Sequence, residues 1–183
     1  MYYFFTTEGE NDEFYCFNRI YGRWKDNGGK RTCKKGFELI DTDSFIEKSE
    51  KTSISAIFAE KGEAYFRQAE TKALETLLAQ NKQFVISCGG GMPLREENRS
   101  ILRKLGMVVY LRVSPQTVFA RLKGDTTRPL LKGDDSGERV RTLMAQREVH
   151  YLSGADCVMD VDQKTPEELA SQILSQFASY NLD

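Results

Sequence analysis

No Gly-x-x-x-x-Gly-Lys-Ser/Thr run occurs anywhere in the 183 residues, so the usual backbone cradle for nucleotide phosphates is missing from the chain as written. Also missing is any stretch near the roughly 20 apolar residues that cross a bilayer. Net charge is almost absent: 26 basic and 27 acidic residues leave a formal −1, which argues against a nucleic-acid or membrane surface. Cys16, Cys33, Cys88 and Cys157 are scattered without metal-ligand or redox spacing, as expected of free thiols in a reducing compartment. His150 is the only histidine, has no partner in its sequence setting, and is assigned no catalytic part. The opening Met1-Tyr2-Tyr3-Phe4-Phe5 has no basic flank and is followed by Glu8, Glu10, Asp12 and Glu13, so it does not read as a signal peptide. What remains is one compact domain, expected to be cytoplasmic, with no nucleic-acid or membrane partner.

Composition changes near residue 36. Nine of the 20 aromatic residues fall within the first 24 positions, and Arg23, Lys25, Lys30, Arg31, Lys34 and Lys35 crowd the stretch that follows. Neither part has a period of 2 or 3.6. From Phe37 the text becomes orderly. Residues 37–40 read as a short strand, 44–59 as short helical pieces, and 63–79 as a helix with Phe66, Ala69, Ala73, Leu74 and Leu77 on one face. A buried strand over 84–87 ends in Gly89-Gly90-Gly91, and a helix over 95–105 leads to a second buried strand over 107–111. Ser114-Pro115 opens another helix as N-cap and first-turn proline. A helix to about Tyr151 and a strand near 157–160 follow, and Thr165-Pro166-Glu167-Glu168 is a capping box ahead of a last helix. Strands alternating with helices predict a parallel sheet covered on both faces, with ligands at the carboxyl ends of its strands.

Those ends carry the candidate chemistry. Asp41 and Asp43 leave the first orderly strand together, one suited to a metal and the other to a hydroxyl. Arg67, on the next helix, can clamp a carboxylate bidentately. Three glycines after an apolar strand forfeit backbone entropy without packing gain, which makes sense chiefly where backbone must approach a ligand closely. Residues 123–135 are polar and glycine-bounded, the composition of a mobile lid; Arg128 within it suits charge developing on a transferred phosphoryl group. Arg147, behind the lid, can pair with a carboxylate or phosphate.

Together these residues resemble shikimate kinase from Gly36 to the C-terminus. The resemblance rests on 39–43, Ser53-Ile54 through Phe58, 62–70, Gly89-Gly90-Gly91, 95–98, 128–131 and Arg147. It implies a P-loop kinase-like α/β fold in three layers, with a parallel five-strand sheet, helices on both faces and a lid. It also implies ATP and Mg²⁺ as cofactors: Asp41 would hold Mg²⁺ through water, and Arg128 would reach the ATP phosphates. Arg121 and the loop from Lys164 to Pro166 would flank the adenine. Asp43 would bind ring hydroxyls of shikimate and draw the proton from the attacking 3-hydroxyl. Arg67 and Arg147 would bind the carboxylate, with Gly89, Gly90 and Gly91 alongside. The chain departs from the family at Val149-His150, where Pro-Leu is usual, and carries Cys88 at a variable position.

The family also needs a central first strand and a phosphate loop, and neither is readable in residues 1–35. Shifting the frame by one base from the Asp12 codon permits an apolar strand, a complete Gly-x-x-x-x-Gly-Lys-Thr loop and the start of a helix. The second loop glycine is nearly forced, because Trp24-Lys25 must be coded TGG-AA and the shifted triplet is GGA. Residues 1–35 are therefore expected to be a frame-shifted kinase start ahead of a domain spanning 36–183, whose substrate-binding part is about 42–70. Without its central strand such a chain is expected to expose two inner sheet edges, fold poorly and have negligible kinase activity. Two alternatives remain: a related kinase for a substrate such as gluconate, and a non-catalytic shikimate-binding remnant.

Overall fold

The computed structural model describes residues 2–5, 38–82, 84–122 and 136–180. The order is β1 (Tyr2–Phe5), β2 (Glu38–Asp41), α1 (Thr42–Glu50), α2 (Ile54–Ala79), β3 (Phe84–Cys88), a 3-10 turn (Met92–Leu94), α3 (Glu96–Leu105), β4 (Met107–Arg112), α4 (Pro115–Leu122), α5 (Ser136–Gly154), β5 (Cys157–Asp160) and α6 (Pro166–Tyr180). The lid expected over 123–135, with Arg128, lies outside the described residues, as do Cys16 and Cys33.

One sheet contains all five strands in the order β2-β3-β1-β4-β5. β2 runs parallel to β3, and β4 parallel to β5. β1 lies between the pairs and is antiparallel to both neighbours. The all-parallel sheet expected from sequence is thus corrected to a mixed one, and the inner edges expected to stand open are paired. The cause is general: backbone N–H and C=O groups inside a sheet must find partners, and an antiparallel ladder supplies them at least as well as a parallel one. Four consecutive aromatic residues have the strand preference to fill that slot. The register sets Tyr2 opposite Cys88 and Tyr110, and Phe5 opposite Val85 and Met107. The chain therefore leaves β1 at the amino ends of its neighbours.

Alternation along the central strands divides the core between two faces. Phe84, Ile86, Cys88, Val108 and Tyr110 pack with Leu74 and Leu77 of α2 and with Ile101, Leu102 and Leu105 of α3. Val85, Met107, Val109 and Leu111 pack on the other face with Leu169, Ile173 and Phe177 of α6. Helices on both faces explain why β3 is buried along its whole length.

Local signals locate several boundaries. Phe66, Ala69, Ala73, Leu74 and Leu77 are all buried, as their spacing predicts. Gly62, with φ 78 and ψ 174, breaks α2 and lets the segment carrying Arg67 start in a new direction. The capping box forms reciprocally: Thr165 N–H donates to Glu168 Oε2 at 2.7 Å, and Glu168 N–H to Thr165 Oγ1 at 3.2 Å. Ser114 Oγ accepts from Thr117 N–H at 3.2 Å at the start of α4.

Candidate active site

The four strands that share a direction deliver their carboxyl ends to one edge of the sheet, and the candidate residues gather there. Thr42, fully buried, donates from Oγ1 to Ser87 C=O at 3.2 Å and ties the end of β2 to the end of β3. On either side of that tie, Asp41 caps α1 by accepting from Ser44 N–H at 2.9 Å, and Asp43 stands in the helix's first turn.

Each of the three glycines is covered by a different side chain. A Cβ on Gly89 would lie 3.1 Å from Asp43 Oδ1, one on Gly90 would lie 3.1 Å from the Tyr151 hydroxyl, and one on Gly91 would lie 2.8 Å from Arg67 Cζ. Gly91 has φ −86, so space rather than backbone freedom demands glycine there. The protein's own side chains approach this turn closely, which brings Asp43, Arg67 and Gly89, Gly90 and Gly91 into one cluster. Tyr151 also donates its hydroxyl proton to Gly90 C=O at 2.7 Å. Arg147 lies one turn earlier on α5, on the same stripe as Tyr151, and is half-buried.

Arg67 is held by two glutamates of its own helix. Its Nη1 donates to Glu70 Oε2 at 2.9 Å, while Nε and Nη2 donate to Glu63 Oε1 at 3.2 and 2.8 Å. Burial on its own would lower the Arg67 pKa, but the hydrogen bonds it donates to Glu70 and Glu63 outweigh it and raise the value. At Glu70 the balance is reversed: burial pushes its carboxyl up, and the opposing bond to Arg67 does not fully offset that. The difference follows from exposure, 2% for the Glu70 side chain against 22% for Arg67.

A second set of bonds fixes the turn to α2. Arg95 Nη1 donates to Arg67 C=O at 3.1 Å and to Thr71 Oγ1 at 2.8 Å. Thr71 donates to Asn98 Oδ1 at 2.7 Å, and Asn98 Nδ2 donates to Met92 C=O at 2.9 Å. Tyr151, Glu70, Thr71 and the bridging part of Asn98 were not identified from sequence as site residues. For Tyr151 a signal existed: it lies four residues after Arg147, on the same helical face.

The residues expected beside a nucleotide make fewer contacts. Lys164 follows β5 and donates to Gln172 Oε1 at 2.9 Å, and Pro166 begins α6. Arg121 lies in the last turn of α4. Among the described residues no group of three or more His, Cys, Asp or Glu is arranged to hold a metal ion. No helix among them is long and apolar enough to cross a membrane.

Comparison with known proteins identifies the family. The family model for shikimate kinase matches residues 27–178. A shikimate kinase of Thermodesulfovibrio yellowstonii is 40% identical over 157 residues, covering 85% of this chain and 90% of the relative. One of Trichormus variabilis is 43% identical over 145 residues, covering 79% and 78%. Among solved structures, a shikimate kinase from Acinetobacter baumannii in complex with shikimate superposes with a TM-score of 0.70 at 32% identity, covering 80% of this chain and 82% of that one. A shikimate kinase from Aquifex aeolicus gives 0.65 at 31% identity, covering 80% and 83%. With its family match running through the glycine turn and both candidate carboxylate-binding arginines, the chain belongs to the shikimate kinase family.

Proposed function

We propose that the reading frame behind this chain encodes an enzyme that transfers a phosphoryl group from ATP to the 3-hydroxyl of shikimate, giving shikimate 3-phosphate for chorismate and aromatic amino-acid synthesis. The packing of Asp43, Tyr151 and Arg67 onto three successive glycines carries this reading. In it, Arg67 and Arg147 grip the substrate carboxylate, where a planar guanidinium gives bidentate geometry. Asp43 accepts the proton of the attacking hydroxyl. Arg128, Arg121, Lys164 and Pro166 are assigned to the nucleotide and Asp41 to Mg²⁺. A lid over 123–135, a cytoplasmic setting and a monomeric state complete it.

When bound, ATP supplies the phosphoryl group and Mg²⁺ offsets its charge. The described residues do not fit that pair. A phosphate loop has to follow the carboxyl end of a strand on the edge where the site lies. β1 occupies the slot between β3 and β4, yet its carboxyl end, Phe5, is beside Val85 and Met107 at the opposite edge. Asp41, for its part, is engaged in capping α1. For the chain as written, the reading is a substrate half retained without its nucleotide half, with residues 1–35 a frame-shifted start and kinase activity negligible.

Titration calorimetry of shikimate into the purified chain tests the substrate half. Saturable binding is expected, weakened at least roughly tenfold in Arg67→Ala, as when one partner of a charge-assisted contact is removed. Absence of binding would overturn the reading. A preference for gluconate over shikimate would point instead to a kinase for open-chain hydroxy acids.

A further inference from the structure

We infer that Tyr151 is a positioning residue: its hydroxyl sets the plane of the Gly90–Gly91 peptide and thereby aims the Gly91 N–H at the substrate carboxylate. The inference rests on the substrate reading above. Tyr151 donates to Gly90 C=O at 2.7 Å, and its ring is anchored against Tyr110 with centroids 5.2 Å apart. A trans peptide is planar, so its C=O and N–H point in opposite directions. Holding the Gly90 oxygen toward α5 therefore turns the Gly91 N–H away from α5. The flanking peptides are already fixed, because Met92 N–H donates to Gly89 C=O and Leu94 N–H to Gly91 C=O, each at 3.2 Å. The Gly91 N–H itself has no backbone acceptor among the described residues. Gly91 itself packs against the Arg67 guanidinium, on a turn joined through Tyr151 to the helix that carries Arg147. One hydroxyl thus couples the position of a backbone donor to both arginines assigned to the carboxylate.

Tyr151→Phe removes that hydroxyl and keeps the ring. Shikimate affinity, measured by calorimetry, is expected to fall roughly three- to tenfold, the loss of one hydrogen bond's worth of alignment. Affinity for methyl shikimate, whose uncharged ester carbonyl is a weaker acceptor than the carboxylate, should fall less, and the Gly91 amide resonance should move. Gly90→Ala reaches the same bond from the other side, since its methyl would press on the hydroxyl. It should weaken shikimate binding more than that of the methyl ester and add less than its single effect in the Tyr151→Phe background. If Tyr151→Phe does not fold, full affinity in Gly90→Ala overturns the inference. Unchanged shikimate affinity in Tyr151→Phe overturns it as well, as does an equal loss for shikimate and its methyl ester. Failure of the unsubstituted chain to bind shikimate would overturn the proposed function and this inference with it.

Discussion

Replacing Gly91 by alanine should destabilise the protein in a pH-dependent way. The new methyl would lie 2.8 Å from Arg67 Cζ and 3.0 Å from Nη2, so the guanidinium has to swing aside. Its departure breaks the 2.9 Å bond to Glu70, whose side chain is 2% exposed. Stripping one partner from a buried ion pair costs roughly 3–5 kcal/mol. Arg67 retains partial exposure and Glu70 can take up a proton, so about 2 kcal/mol is the reasonable expectation at pH 8. The pH dependence follows from linkage. Burial already holds the Glu70 carboxyl above its ordinary value of 4.5. A carboxyl raised in the folded state contributes stability that is fully present below its unfolded value and lost as pH rises through the folded one. Removing Arg67 raises the folded value further, so the Gly91→Ala deficit should be small below about pH 4.5 and grow toward pH 8. Urea denaturation of both proteins across that range measures it. A deficit that is flat with pH, or none at all, would refute the assignment of the Arg67–Glu70 bond as the element displaced.

Two other outcomes are expected. Asn98→Ala should cost about 2 kcal/mol in urea denaturation, because it strands the buried Met92 carbonyl and leaves the Thr71 hydroxyl only its longer 3.2 Å bond to Arg67 C=O as donor; a change under about 0.5 kcal/mol would count against the bridge. Burial, with Glu148 and Tyr151 adding to it, pushes Tyr110 up to about 12 from an ordinary 10.0. Its contribution is then complete below pH 10.0 and lost as pH climbs toward 12, so Tyr110→Phe should flatten the alkaline fall in stability.

Much of this arrangement could be read from the residues because its signals are local. The buried face of α2, the Thr165–Glu168 box and the Ser114 cap each depend on neighbours within a few positions. The glycine triad was read as a place for a ligand's close approach, and the side chains packed on it were not legible: Asp43, Arg67 and Tyr151 lie far from it in sequence, the Tyr151 bond spanning 61 residues. The Thr71–Asn98 bridge, 27 residues apart, was hidden for the same reason. The direction of β1 was beyond reach in another way. Four aromatic residues carry strand preference but no orientation, and both directions satisfy the ladder. That direction sends Phe5 to the edge away from the glycine turn, and the proposed loss of activity rests on it.

The most direct test is a side-by-side assay of phosphoryl transfer from ATP to shikimate by the purified chain and by a version whose codons from Asp12 to Lys35 are read one base later. The account predicts ordinary turnover by the reframed protein and none measurable from the chain as written. Equal turnover by both, or no turnover by the reframed protein, would contradict it.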